Sequence, residues 1–270
     1  MALPPPSVTG TAVVTGASSG IGADLARELA SRGYGVTLVA RREDKLRELA
    51  ADIGSTVRVE VIAADMADAD ARAGLFDDVS ARGLTVDILV NNAGIGVVGA
   101  VATAPVADEL AQVRVNVEAV VDLTTRAVQS MVPRGRGAIL NVGSTAAFQP
   151  FPGQSAYAGT KAFVKVFTEG LRAELAGTGV TATVLHPGPV RTEFLSAAGF
   201  DEDEFAASIP KFMWLPSRTV AQIGIDALDN NRGSVIAGRV NQISTAVMQL
   251  IPRRILLKVL ASQHPALKSG

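Results

Sequence analysis

Tyr157 and Lys161 stand four residues apart in a stretch with helical periodicity, so both leave the same face of a helix. A phenol titrates at about pH 10 and is a poor acid–base group at neutrality. An ammonium beside it favours the phenolate and draws that pKa toward working pH. The pair suits proton transfer to or from an alcohol oxygen. Ser144 lies just past an apolar run, 137–142. Its hydroxyl can donate to a carbonyl or alkoxide oxygen held by the same tyrosine, or simply cap a turn. Asn116, between Val115 and Val117 in a long helical pattern, is a polar residue on an apolar face and needs a partner. It can hold a water that passes protons onward from Lys161. The chain has no cysteine and two histidines, His186 and His264, so disulfide and thiolate chemistry are excluded and no metal site is expected. His186 ends an apolar run beside Pro187 and reads as a packing residue.

A second constellation is the run T-G-A-S-S-G-I-G at 15–22. Apolar Ala12, Val13 and Val14 precede it, and a helical pattern with Leu25, Ala26 and Leu29 on one face follows. Strand, glycine turn and helix in that order make a phosphate-binding corner. Glycine lets the backbone approach a pyrophosphate, and a helix N-terminus offers unpaired N–H groups to the anion. Asn91-Asn92-Ala93-Gly94 follows another apolar run and reads either as a plain turn or as a surface supporting a nucleotide.

These groups need elements to carry them. Strand-like runs occur at 11–15, 35–39, 57–63, 88–90, 137–142, 181–186 and 234–236. Helical patterns occupy 21–32, 43–53, 67–82, 105–131, 155–177 and 219–230 between them. Strands separated by single helices imply parallel pairing, and nearly continuous apolar strands imply helices on both faces. The expected fold class is α/β: a doubly wound, parallel, seven-stranded, Rossmann-like sheet in a single domain with a C-terminal apolar extension. The expected division is a flexible tail at 1–10, one domain at 11–240 and an amphipathic extension at 241–270. Pro4-Pro5-Pro6 suggests an extended tail, and Met1 to Pro6 lacks the features of a signal peptide. With 25 basic and 26 acidic residues, no nucleic-acid partner is expected. The expected compartment is the reducing cytoplasm.

Two segments break the alternation. Residues 191–216 have no clean period and carry Phe194, Leu195, Phe200, Phe205, Phe212, Met213 and Trp214. They follow a strand's carboxyl end, so they read as a substrate lid or as a loop packed on the body. Residues 246–260 mix apolar side chains with Arg253, Arg254 and Lys258, and Pro252 should interrupt any helix there. That stretch reads as a segment packed on its own or a partner subunit. The alternative is a basic amphipathic helix on a membrane or at the rim of a lipid-sized pocket. The mean hydropathy of +0.29 calls for such a greasy pocket or surface.

Taken together, the chain resembles a short-chain dehydrogenase/reductase of the single-domain branch over about residues 8–240. The resemblance rests on T-G-x-x-x-G-I-G at 15–22, N-N-A-G at 91–94, Asn116, Ser144, Y-x-x-x-K at 157–161 and P-G-x-V-x-T at 187–192. It implies an oxidoreductase domain that moves a hydride between a nicotinamide cofactor and a carbonyl or carbinol carbon. Tyr157 would be the acid–base, and Lys161 would lower its pKa and bond the nicotinamide ribose. Ser144 would orient the substrate oxygen, and Asn116 would hold the relay water. Gly16, Ser18, Ser19, Gly20, Ile21 and Gly22 would line the pyrophosphate side. Asn92, Ala93 and Gly94 would back the adenosine ribose, and Asp65 would reach the adenine. Pro187, Gly188, Val190 and Thr192 would fix the carboxamide. An NAD site wants an acid after the second strand, where this chain has Ala40-Arg41-Arg42. Arg41, with Arg42 secondary, would pair with a 2′-phosphate, so NADP(H) is expected over NAD(H). Ser19 stands where some NADP-preferring relatives carry a basic residue. The aromatic and aliphatic residues Phe148, Phe151, Phe194, Leu195, Phe212, Met213 and Trp214 point to a hydrophobic ketone, acyl, lipid or steroid-like substrate. The family implies a homo-oligomer through the helices 105–131 and 155–177. Two other readings stay open: a dinucleotide-bound regulator without catalysis, and a membrane-peripheral protein acting through its C-terminal segment.

Overall fold

The computed structural model describes residues 3–200, 207 and 209–263. Seven parallel strands form one sheet in the order β3-β2-β1-β4-β5-β6-β7. They are β1 (Gly10–Thr15), β2 (Gly35–Ala40), β3 (Val59–Ala63), β4 (Thr85–Asn91), β5 (Gly137–Val142), β6 (Val180–His186) and β7 (Ser234–Ile236). Register is set in the centre, where Val14 of β1 stands opposite Leu38 of β2 and Val90 of β4. The order reverses between β1 and β4, and the crevice at the carboxyl ends there is where such sheets take ligands.

Helices cover both faces, which explains why the central strands are buried throughout. The helices are α1 (Gly20–Ser31), α2 (Glu43–Ile53), α3 (Ala69–Ala81), α4 (Val106–Val113), α5 (Ala119–Met131) and α6 (Ser155–Glu174). Leu25 and Leu29 of α1, Leu46 of α2 and Ile225 of the helix Ser217–Asp229 build the core on one face. Leu75 of α3, Leu123 of α5 and Leu171 of α6 build it on the other.

Most boundaries follow the sequence pattern, and the departures have physical causes. The helix expected from 67 begins at Ala69, because Asp68 caps it by accepting from the Asp70 and Ala71 amides. The helix expected over 105–131 is divided by one π-turn, Arg114–Glu118. The strand expected over 88–90 runs from Thr85 to Asn91, whose amide is buried. Its Nδ2 donates to Thr124 Oγ1 and to Asn141 Oδ1, each at 2.9 Å. Asn141 Nδ2 in turn donates to Thr168 Oγ1 at 2.9 Å. This cluster ties β4 and β5 to α5 and α6 beneath the ligand crevice, and each such bond contributes about 1 kcal/mol net.

Ahead of β1, Leu3 is buried in the core and the Tyr34 hydroxyl donates to the Pro4 carbonyl at 2.9 Å. At the other end, the helices Arg239–Leu250 and Arg253–Gln263 are separated at Ile251-Pro252, the break expected of Pro252. No described helix is long and apolar enough to cross a membrane.

Candidate active site

Ser144 follows β5 and caps the short turn Thr145–Phe148, its hydroxyl accepting from the Ala146 amide at 3.1 Å. Tyr157 and Lys161 leave the first turns of α6 toward it. The Tyr157 hydroxyl hydrogen-bonds the Ser144 side chain. Ser144 thus caps the turn as well as meeting the Tyr157 hydroxyl. Lys161 Nζ is buried, donates to the Val142 carbonyl at 2.9 Å and lies 5.9 Å from the Tyr157 ring centre.

Electrostatics here differ from the simple expectation that the ammonium draws the phenol down. Burial pushes the Tyr157 hydroxyl up from its ordinary value, and the Ser144 bond opposes this. Burial also brings Lys161 down to about 8. Desolvation disfavours phenolate and ammonium alike, and Lys161 spends a proton on Val142. Burial thus favours the neutral phenol at Tyr157.

Asn116 sits in the π-turn between α4 and α5. Its Oδ1 accepts from the Ile95 amide at 2.9 Å, and Nδ2 donates to the Ile95 carbonyl at 2.8 Å and Thr160 Oγ1 at 3.0 Å. The side chain is therefore a clamp between the segment after β4 and α6. Gly94 lies beside it; a Cβ there would stand 3.3 Å from both Asn116 Oδ1 and Lys161 Nζ.

The glycine corner turns as its spacing requires. Gly16 and Gly20 have φ of 66° and 55°. A Cβ on Gly22 would come within 2.3 Å of the Gly16 carbonyl oxygen. The N-cap residue Ser19 makes no side-chain cap bond and no acid lies in the first turn of α1, which suits its N–H groups to an anion. Asn92 belongs to this corner. Its Nδ2 donates to the Thr15 and Gly16 carbonyls at 2.9 and 3.2 Å, while the Asn92 and Ala93 amides donate to Thr15 Oγ1. Asp65 accepts from the Ala67 amide with one oxygen.

Arg41 and Arg42 leave the end of β2 with different commitments. Arg41 is exposed and makes no ion pair among the described residues. Arg42 spans Ser18 Oγ at 3.0 Å and Glu193 at 2.8 Å. The Arg42 guanidinium holds the Glu193 carboxyl below the usual carboxylate range. A pyrophosphate cradle that side chains would fill, an open helix N-terminus and a free guanidinium beside β2 fit a phosphorylated dinucleotide.

Pro187, Gly188, Val190 and Thr192 complete the crevice. The Thr145 amide donates to the Pro187 carbonyl at 2.9 Å, and Val190 bridges Leu215. Thr192 lies over the glycine corner, its Cγ2 2.9 Å from where a Gly20 Cβ would stand. The structure thus gathers Ser144, Tyr157, Lys161, Asn116 and Gly94 at one end of the crevice and the glycine corner with Arg41 and Arg42 at the other.

A family model described as short chain dehydrogenase matches residues 10–203. The chain belongs to the short-chain dehydrogenase/reductase family. It is an oxidoreductase of that family. Sulfoacetaldehyde reductase 2 of Chromohalobacter salexigens is 38% identical over 184 residues, 67% of this chain and 73% of that one. A short-chain dehydrogenase from Sphingobium yanoikuyae solved with NADPH is 30% identical, covers 90% of this chain and 97% of that one, and has a TM-score of 0.77. A 7beta-hydroxysteroid dehydrogenase structure is 25% identical, with coverage of 93% and 96% and a TM-score of 0.82.

Within this short-chain dehydrogenase/reductase, several contributors were not apparent from sequence. The short helix Phe194–Ala197 brings the Phe194 ring to 5.6 Å from the Tyr157 ring. Gly96 makes room for it, since a Cβ there would be 2.9 Å from Phe194 Cζ and 3.5 Å from Tyr157 Cδ2. The signal was the second glycine of Gly94-Ile95-Gly96. Asn241 is buried against Gly188 and donates to the Met213 and Ala237 carbonyls at 3.2 and 3.0 Å, anchoring the far end of 191–216. Of the lid residues named above, Phe205 lies outside the described residues. His186 packs beneath Ser144, with Nδ1 3.2 Å from the Ser144 carbonyl and its ring 4.8 Å from Phe148. A crevice of about 270 Å³ separates Phe148 and Pro150 from Met248, Ile251, Arg253 and Leu256. A larger cavity of about 730 Å³ lies around Arg172, Thr181 and Asp229, at the amino end of β6 and away from Tyr157.

Proposed function

We propose that this chain interconverts a hydrophobic ketone and its alcohol with NADP(H). When bound, the cofactor supplies or accepts the hydride at the substrate carbon. Tyr157 gives its proton to the carbonyl oxygen during reduction and takes it back during oxidation. Ser144 holds the substrate oxygen toward Tyr157. Lys161 fixes the ribose end of the cofactor and keeps a positive charge behind the phenol at neutral pH. Asn116 keeps the π-turn in place beside Lys161, where the relay water would be bound.

The Ser144–Tyr157–Lys161 arrangement at the carboxyl ends of β5 and α6's first turns carries this reading. NADP(H) is favoured over NAD(H) by the unengaged Arg41 and by the NADPH complex of the Sphingobium relative. An apolar substrate is favoured by Phe194 over Tyr157, by buried Leu195 and by the hydroxysteroid dehydrogenase among the similar structures. Self-association belongs to the same reading. Val106 and Leu110 of α4 and Phe163 and Val166 of α6 expose apolar surface suited to a second copy.

The test is steady-state kinetics with NADPH and NADH over straight-chain acyl, steroid and small polar ketones. The expected result is a higher kcat/KM with NADPH and with the apolar ketones. Equal or better kcat/KM with NADH contradicts the role of Arg41, and a preference for polar carbonyls contradicts the substrate class.

A further inference from the structure

The helix Arg239–Leu250 is inside out. Asn241 and Thr245 face the body at 2% and 7% exposure. Val240, Ile243, Val247 and Leu250, at three- and four-residue spacing, face outward at 40%, 65%, 53% and 84%. The inward polar residues have reasons to be there: Asn241 anchors Met213 and packs on Gly188. The outward apolar stripe has no such reason within the chain. It continues beyond Pro252, where Ile255 and Leu257 are exposed while Leu256 is buried. Phe212, at the turn that Asn241 holds against this helix, is exposed as well.

Charge selects the occupant. No Asp or Glu follows Asp229 in the sequence, whereas Arg232, Arg239, Arg253, Arg254, Lys258 and Lys268 do. The rest of this nearly neutral chain carries the balancing acids. Arg239, Arg253, Arg254 and Lys258 are exposed on the two helices that carry the stripe. A second copy meeting this face about a two-fold axis would bring cations against cations with no acid on either helix between them. An anionic lipid surface satisfies both features, taking the apolar side chains into its interface and the cations onto its headgroups.

We infer that the helix pair Arg239–Leu250 and Arg253–Gln263 docks this protein on anionic bilayers. The helices lie on the surface and do not span it. They also line the crevice beside Phe148, through Met248 and Leu256. Docking therefore presents that side of the molecule to a lipid phase.

Flotation of the full chain with phosphatidylcholine vesicles, with and without phosphatidylglycerol, tests this. The protein is expected to float with the phosphatidylglycerol vesicles and to be released by salt. Arg254→Gln with Lys258→Gln weakens partitioning about fivefold per cation removed. Ile243→Ser with Val247→Ser loses flotation while circular dichroism and vesicle-free NADPH oxidation stay unchanged, as exposed positions allow. Three results overturn the inference: no flotation on anionic vesicles, flotation indifferent to both double variants, or a self-association lost with Ile243→Ser/Val247→Ser. Flotation without any turnover leaves the docking surface standing and removes only the enzymatic reading.

Discussion

Burial acts on His186 in a direction that pH can read. Its Nε2 has no partner among the described residues, and desolvation lowers its pKa from 6.5 to about 4. The Ser144 carbonyl opposes that shift, while Lys165 and Lys161 add to it. Between the two values the unfolded chain takes up a proton that the fold refuses. Stability is therefore complete above the unfolded value and falls as pH drops through the window toward 4. For this group alone, the loss between about pH 7 and about pH 5 is on the order of 2 kcal/mol. His186→Gln is expected to shed that part of the acid sensitivity in denaturant titrations at the two pH values. An unchanged acid loss would show that His186 titrates normally. Sequence could single out Tyr157, Lys161, Ser144 and Asn116 as candidates, because their types and spacing limit the chemistry, and the structure places them near one another. It could not give the sense of the shifts at Tyr157 and Lys161, because desolvation is set by what the whole fold packs around a group.

The elements meet at positions where a single methyl group matters. Gly22 closes the corner against backbone, 2.3 Å from where its Cβ would need to be, so nothing there can give. Gly96 is closed by the far end of the Phe194 side chain, which can swing away. Overpacking of this kind costs roughly 1–3 kcal/mol, about 5- to 150-fold when it falls on an affinity. Gly22→Ala is expected to weaken NADPH binding by that order. Gly96→Ala is expected to raise the ketone KM and leave NADPH affinity near its wild-type value. Calorimetric titration with NADPH alongside ketone kinetics separates the two, and matching losses in both variants would contradict the assignment. The glycine corner was legible because its spacing is local. The π-turn at Arg114–Glu118 was not, since one extra residue in a turn leaves the apolar pattern almost continuous. Segment 191–216 showed its apolar content and its place after a strand, but without a period nothing fixed which side chain meets Tyr157, so the approach of Phe194 was hidden.

At the scale of the molecule, alternating apolar runs and helical patterns dictated a doubly wound parallel sheet, while the strand order β3-β2-β1-β4-β5-β6-β7 is visible only in the structure. The same chemistry of surfaces explains the C-terminal helices. Their composition was plain in the sequence, but which face turns outward depends on the Met213 and Ala237 carbonyls that accept from Asn241 and on the room Gly188 leaves for it. What the whole assembly achieves is a protonated phenol held at the ligand crevice between a serine and a buried lysine. The most direct test compares wild type with Tyr157→Phe, measuring NADPH oxidation by an apolar ketone and NADPH binding by fluorescence. General acid catalysis contributes about 10²–10⁴-fold, so turnover should fall by that factor while NADPH still binds. Turnover at the wild-type rate in Tyr157→Phe would contradict the account.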